Sequence, residues 1–258
     1  MTIFRELAIL DCRHGDPELI SVKGFLALRR AGVILYEACA QETVRVHAGT
    51  GCDFIPIRTS FTDEACDPHR LYGMITSCAL RYRAMVWAGN LNGFLAMGGL
   101  SVLDLARSHD VRPEIIPAVS SFQSATTASG IPLTWRGRNE SFWVPEGRLV
   151  PGDAVLAAQS TASAVIPVDS LDMEETLRIF TAIRGLSEPA AVISLSGQDP
   201  DNGLVPGTLQ SLRNWSLERL RQTLSFVVIG KVVEDVGFLR SSLSKLLGRN
   251  FVASKFET

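Results

Sequence analysis

The 258-residue chain has no apolar run approaching the roughly 18 residues that a membrane-spanning helix needs, so no such span is expected. It also lacks a dominant charge. Its 25 Lys and Arg against 27 Asp and Glu leave a net charge of -2, which gives no electrostatic footprint for nucleic acid or an anionic membrane. Cysteine is sparse and odd in number: Cys12, Cys39, Cys52, Cys66 and Cys78 lie scattered through the first third. That pattern argues against a disulfide framework and for reduced thiols in a cytoplasmic protein. The opening "MTIFRELAIL" carries Arg5 and Glu6 inside its apolar stretch, which a secretory signal would not tolerate.

Several catalytic signatures are missing as well. There is no G-x-x-x-x-G-K-[ST] loop to cradle phosphates and no G-x-S-x-G nucleophile elbow. "GTGCDF" at Gly49–Phe54 begins like a dinucleotide fingerprint, but Phe54 stands where the third glycine belongs, so it reads as a turn. "CDPH" at Cys66–His69 offers two metal ligands without a second pair to complete a tetrahedral site, and no metal is expected.

What is present is an ordinary folded composition, 46% hydrophobic and 20% charged, arranged as short apolar runs alternating with helical patterns. "LAIL" (Leu7–Leu10) reads as a strand. Asp16-Pro17-Glu18 reads as a helix start, with Asp as N-cap and Pro at the first helical position. The helix that follows is expected to bury Leu19, Val22 and Leu26 on one face, to carry Arg29 and Arg30 in its last turn and to end at Gly32. "VILY" (Val33–Tyr36) is the next strand, giving a parallel crossover. A helix near Pro68–Leu80, the strand "AMVWA" (Ala84–Ala88), a helix after "GNLNGF" and the strand "EIIP" (Glu114–Pro117) continue the alternation. Beyond it, "ESFWVP", "DAVLAA", "AAVISL", "GLVPGTL" and "SFVVIG" read as five strands of a mixed sheet. The expected fold is therefore α/β in two domains: residues 1–117 with a parallel sheet, and residues 118–258 with a mixed one.

Three loops rich in small polar residues follow strands: "RHGDPELISVKG", "WAGNLNGFLAMGG" and "IPAVSSFQSATTASGIPLTWRG". Ligands of open α/β sheets collect beyond the carboxyl ends of strands, so these loops suit a binding crevice. Helix caps and turns favour the same residues, and composition alone does not separate the two readings.

Motif order goes further. "GDPELISVKGFLALRRAGVILYE" resembles the opening G-D-P-E-L-[LI]-T-[LV]-K-[GA] helix and following strand of the tetrapyrrole methylase family. "IPAVSSFQSATTASGIPLTWRG" is similar to that family's I-P-G-[VI]-[TS]-S…G-[IV]-P-L-T-H-R-G segment. "AGNLNGFLAMG" looks like its S-G-D-[LP]-S loop in the precorrin-4 variant, and "PAAVISL", "GLVPGTLQSL" and "SFVVIGKVV" resemble its last strands. The likeness runs from about Leu7 to Val233.

The resemblance implies a methyltransferase that uses S-adenosylmethionine, with a ligand cleft between its domains, acting on carbon of a precorrin-like tetrapyrrole, and commonly a homodimer. Matched position by position, it implies donor contacts at His14, Gly89, Asn90, Gly93, Ser120, Ser121, Ala158 and Ser196. The chain departs from the family at one wall. The first-loop glycines and proline are here Asp11, Cys12, Arg13 and His14, the family's aspartate is Asn90, and its P-G turn is Pro117-Ala118. Arg and His add bulk and donors where glycine permits close approach. Arg13 and His14 are thus candidates for binding substrate carboxylates, alternatives being a solvent-facing arginine and a histidine that caps the next helix. Glu37 stands where uroporphyrinogen-III methyltransferases carry a carboxylate read as a base, and Arg136 matches a family arginine suited to substrate propionates. His47 lies near the place of a family lysine that has no clear counterpart. Two other functions stay open: the same fold methylating a natural product, peptide or nucleic acid, and a non-catalytic paralog that serves as a binding subunit.

Overall fold

The computed structural model describes residues 5–57, 68–91, 103–104, 107, 110–137, 139–145, 149–168, 173–194, 203–212 and 225–234. The chain divides into two compact units, Met1–Ser121 and Phe122–Thr258.

In the first unit, strands β1 (Arg5–Asp11), β2 (Val33–Tyr36), β3 (Asp53–Pro56), β4 (Ala84–Gly89) and β5 (Val111–Ile116) form a sheet in the order β3-β2-β4-β1-β5. Every neighbouring pair is parallel. A parallel sheet needs cover on both faces, and the central strands are accordingly apolar at consecutive positions. Leu7, Ile9, Val33, Leu35, Met85 and Trp87 pack on one side with Leu71 and Ile75 of α3 (Pro68–Ala79). Leu10, Ile34, Val86 and Ala88 pack on the other with Leu28 of α1 (Val22–Arg30) and Val44 of α2 (Gln41–His47).

The start of α1 differs from the expectation. Asp16 does act as a cap, its carboxylate accepting the Glu18 N–H at 2.8 Å, but it caps a separate 3-10 turn at Pro17–Leu19. Ile20 and Ser21 are extended, and Ser21 Oγ then accepts the Gly24 N–H at 3.1 Å as the true N-cap of α1. The break resets the helical phase. Leu19 falls outside the helix, Val22 is 76% and Leu26 43% exposed, and Gly24 and Leu28 face the sheet instead. Glycine is required there, because a Cβ at position 24 would stand 2.6 Å from Cδ1 of Leu10.

The second unit begins with most of α4 (Ser121–Ser129) and holds β6 (Phe142–Trp143), α5 (Pro151–Gln159), β7 (Ser163–Pro167), α6 (Met173–Arg184), β8 (Pro189–Ser194), β9 (Val205–Thr208), α7 (Leu209–Leu212) and β10 (Ser225–Ile229). Its sheet order is β6-β7-β10-β8-β9; β6 and β7 are parallel, the rest antiparallel, giving the expected mixed sheet. One expected strand is a helix. "DAVLAA" lies inside α5, where Pro151 takes the first helical position and Ala154, Ala157 and Ala158 are buried at helical spacing. The strand lies just beyond it, in "SAVIP". The helix expected after "GNLNGF" falls outside the described residues. Among the described residues no helix is long and apolar enough to cross a membrane.

Candidate functional site at the strand ends of the first unit

The sheet order creates a switch point between β1 and β4. The chain leaves β1 through α1 and passes over β4 to reach β2, whereas the chain leaving β4 passes β1 to reach β5. Neighbouring strands whose connections depart in opposite directions open a crevice at their carboxyl ends, the preferred ligand site of open α/β sheets. The strands finish level. Asp11 pairs with Gly89 and Tyr36 with Ala88, the Cys12 N–H donates to the Gly89 carbonyl at 2.8 Å, and the Glu37 N–H donates to the Ala88 carbonyl at 2.9 Å.

This register gathers the unusual first loop, Glu37, Gly89 and Asn90. Glu37 is only 6% exposed, and its Oε2 accepts the Asn90 N–H at 3.0 Å and lies 3.8 Å from the Cys39 thiol that donates to it. Its carboxyl group lies across Gly89 so closely that a Cβ there would stand 2.5 Å from Cδ of Glu37. Asp11 Oδ1 accepts the N–H groups of Arg13 at 3.3 Å and of Leu91 at 3.5 Å. Two carboxylates therefore hold the first N–H groups beyond β4, groups that at such a strand end are otherwise suited to an anionic ligand.

The first loop closes as a turn, with the Gly15 N–H donating to the Cys12 carbonyl at 3.0 Å and Gly15 at φ 73°. His14 is turned inward, 3% exposed. Its Nδ1 accepts the Asp16 N–H at 3.1 Å, while its Nε2 is buried without a hydrogen-bond partner among the described residues. Burial pushes the imidazole below its ordinary pKa of 6.5, against the opposing pull of Asp11 and Asp16, so the ring is neutral at neutral pH. The nearby thiols are also held protonated. Burial, reinforced by Glu37, pushes Cys39 up to about 12, and burial with Cys39, Asp11 and Glu37 pushes Cys12 upward too. Neither is a thiolate nucleophile at neutral pH.

The remaining candidates are distributed along the chain. Ser120 and Ser121 follow β5 at the same end of the first sheet, Ser121 opening α4. His47 is tied into the fold, its Nε2 donating to the Pro17 carbonyl at 2.9 Å and its ring meeting Phe25 edge-on. In the second unit, Arg136 is exposed on a tight turn closed by reciprocal Trp135 and Asn139 backbone bonds, with Gly137 at φ 81°. Asn139 anchors that turn through Nδ2, which donates to the Leu133 carbonyl at 2.9 Å and to Ser163 Oγ at 2.7 Å. Ala158 lies inside α5, and its carbonyl accepts from Arg184 Nε at 2.9 Å. Gly93 and Ser196 fall outside the described residues. The sequence singles out Glu37 and Asp11 but not the Cys39 thiol that donates to Glu37. The usable signal is positional: Asp11 is the last residue of β1, Glu37 follows the last residue of β2, and Cys39 lies in the turn after it.

Known proteins share this organisation. The family model for Tetrapyrrole (Corrin/Porphyrin) Methylases matches residues 14–213. A siroheme synthase of Psychrobacter cryohalolentis is 23% identical over 234 residues, covering 88% of this chain but 44% of its own length. The chain thus spans less than half of that relative. A uroporphyrinogen-III C-methyltransferase of Methanocaldococcus jannaschii is 23% identical over 235 residues, covering 88% of this chain and 96% of its own. Among solved structures, a cobalt precorrin-4 methyltransferase superposes with a TM-score of 0.69 at 19% identity, covering 88% of this chain and 95% of that one. A Thermus thermophilus uroporphyrin-III C-methyltransferase in complex with S-adenosylhomocysteine gives 0.61 at 20% identity, covering 88% and 93%. The solved structures establish the fold, and the family model covers most of the sequence: this chain belongs to the tetrapyrrole (corrin/porphyrin) methylases.

Proposed function

We propose that the chain is an S-adenosylmethionine-dependent methyltransferase that methylates carbon of a precorrin-like tetrapyrrole, working as a cytoplasmic homodimer with two domains, residues 1–117 and 118–258. The observation that carries this reading is the level set of strand ends at the β1/β4 switch point, within a family whose members are methylases. The residues present fit the donor. A buried imidazole N–H without a partner among the described residues matches a molecule whose carboxylate and hydroxyl oxygens accept hydrogen bonds. When bound, S-adenosylmethionine supplies an electrophilic methyl group on a sulfonium.

The chain's own residues then position and orient. Methyl transfer needs in-line approach and close placement more than covalent help from the protein. In this reading Gly89, Asn90, Gly93, His14, Ser120, Ser121, Ala158 and Ser196 contact the donor, and Arg13 and Arg136 meet carboxylates of the acceptor. Glu37 acts first as a brace. Its Oε2 fixes the Asn90 N–H and accepts a hydrogen bond from the Cys39 thiol, which holds the Gly89–Asn90 corner. As a base it would serve the proton lost from the methylated carbon.

A second reading, a binding subunit without methyl transfer, draws on one observation: Asp11 and Glu37 already occupy the Leu91 and Asn90 N–H groups. Calorimetry with S-adenosylmethionine and S-adenosylhomocysteine separates the two. A methyltransferase is expected to bind both, and then to pass an isotopically labelled methyl group to a reduced uroporphyrin-type acceptor. A folded protein that binds neither is not a methyltransferase. One that binds the donor but labels only a non-tetrapyrrole acceptor keeps the chemistry and loses the substrate.

A further inference from the structure

A buried donor without a partner is rare in folded proteins and destabilises them, so it calls for an explanation. His14 is such a case, and its surroundings define what kind of donor it is. The Asp16 N–H points at Nδ1, so Nδ1 is the lone-pair nitrogen and the proton of the neutral ring sits on Nε2. That N–H is enclosed, on a ring 3% exposed, without a partner among the described residues. The backbone donors just beyond β1 and β4 are engaged: the Arg13 and Leu91 N–H groups by Asp11, the Asn90 N–H by Glu37, and the Cys12 N–H by the Gly89 carbonyl. The internal carboxylates are thus directed at backbone groups, and the imidazole is left with a fixed, uncharged donor at a ligand-type strand end.

We infer that His14 recognises a carboxylate oxygen of the bound ligand through Nε2–H, with the tautomer set in advance by the Asp16 N–H. This rests on the methyltransferase reading above and gives the rebuilt first loop a specific role, in which a side-chain donor replaces the close backbone approach that glycines would allow. Fixing the ring before binding removes the loss of rotamer and tautomer freedom that a mobile donor would incur. Because Nε2 is enclosed, ligand entry has to uncover it. Both reaction partners carry carboxylates, one on the amino-acid end of the methyl donor and several on the acidic tetrapyrrole.

The test uses three probes on the full chain: S-adenosylhomocysteine, 5′-methylthioadenosine (which lacks the amino-acid carboxylate) and uroporphyrin III. Calorimetry compares the native protein with His14→Phe, which keeps a ring without the donor, and His14→Gln, which restores an N–H near the same place. In parallel, two-bond proton–nitrogen spectra of the histidine-labelled native protein follow the Nε2–H of His14, assigned by its loss in His14→Phe. The expected result is about tenfold weaker binding of a carboxylate-bearing probe in His14→Phe, recovery in His14→Gln, and a moved Nε2–H signal on binding. If S-adenosylhomocysteine weakens and methylthioadenosine does not, the carboxylate is the donor's; if only uroporphyrin weakens, it is the acceptor's. Probes that bind native protein and His14→Phe equally well, with the Nε2–H signal unmoved, overturn the role of His14 and leave the methyltransferase reading intact. A native protein that binds none of the probes overturns both.

Discussion

Each unit of this protein buries a polar centre, and the two are built on opposite terms. In the second unit Arg184 lies against Phe180 at 5.0 Å, and every nitrogen of its guanidinium is engaged. Nε donates to the Ala158 carbonyl, Nη2 to the carbonyls of Ala157, Ser160 and Ala162, and Nη1 to Glu188 at 3.2 Å. This is a cation closing the C-terminal end of α5, where orphan carbonyls and the helix dipole both favour it. In the first unit the cluster of Asp11, Glu37, Cys39 and His14 also fixes backbone groups, but it leaves the His14 Nε2–H without a partner among the described residues. A satisfied centre holds a fold together; one with a donor in reserve belongs where a ligand is expected.

Breaking the satisfied centre should have the largest effect on stability. Arg184→Ala is expected to destabilise the protein by about 3 kcal/mol, because four carbonyls lose their donor and the half-buried Glu188 loses its cation. Urea unfolding followed by tryptophan fluorescence reads this. Gly89→Ala comes next, at about 2 kcal/mol, since the new methyl group meets the Glu37 carboxyl. In a Glu37→Ala background the same change should become nearly neutral; an undiminished loss would mean that Glu37 does not lie across Gly89.

His14 should show its character in pH dependence rather than in total stability. Its folded pKa is lowered from 6.5 by burial, so below that value the unfolded chain binds a proton that the folded chain resists. The contribution is fully present above pH 6.5 and is lost as pH falls toward the lowered folded value, by up to about 1.4 kcal/mol per pH unit. The difference in urea midpoint between His14→Phe and native protein should therefore grow in favour of the variant as the solution is acidified; a pH-independent difference would remove the buried neutral imidazole. At the bottom of the scale, Lys23→Ala removes an exposed ion pair with Glu114 and should leave the unfolding midpoint unmoved.

Much of the fold is legible in the sequence. β2 reads as Val33–Tyr36, where it stands, and the first strand and α3 fall within a few residues of their expected places, because buried parallel strands announce themselves as continuous apolar runs. The stretches that differ do so because local pattern leaves two answers open. "DAVLAA" is a run of small apolar residues that suits a helix or a strand equally, and only its packing beside α6 decides. At α1, one extended step at Ile20 and Ser21 shifts the helical phase and turns Val22 and Leu26 outward. For the site, the resemblance names the loops that follow β1 and β4, but nothing in sequence spacing connects Glu37 to Asn90 or Asp11 to Leu91.

By itself, then, the sequence determined the alternation of apolar runs and helices, the parallel first sheet and mixed second sheet, and the motif order that marks the family. These are local or periodic properties, written in neighbouring side chains. Which groups meet at the strand ends was decided by strand order alone. Setting β4 between β1 and β2 puts Gly89 level with Asp11 and next to Glu37, and long-range pairing turns three distant loops into one buried cluster. Burial in turn sets the chemistry there, since desolvation keeps His14 neutral and the thiols of Cys12 and Cys39 protonated.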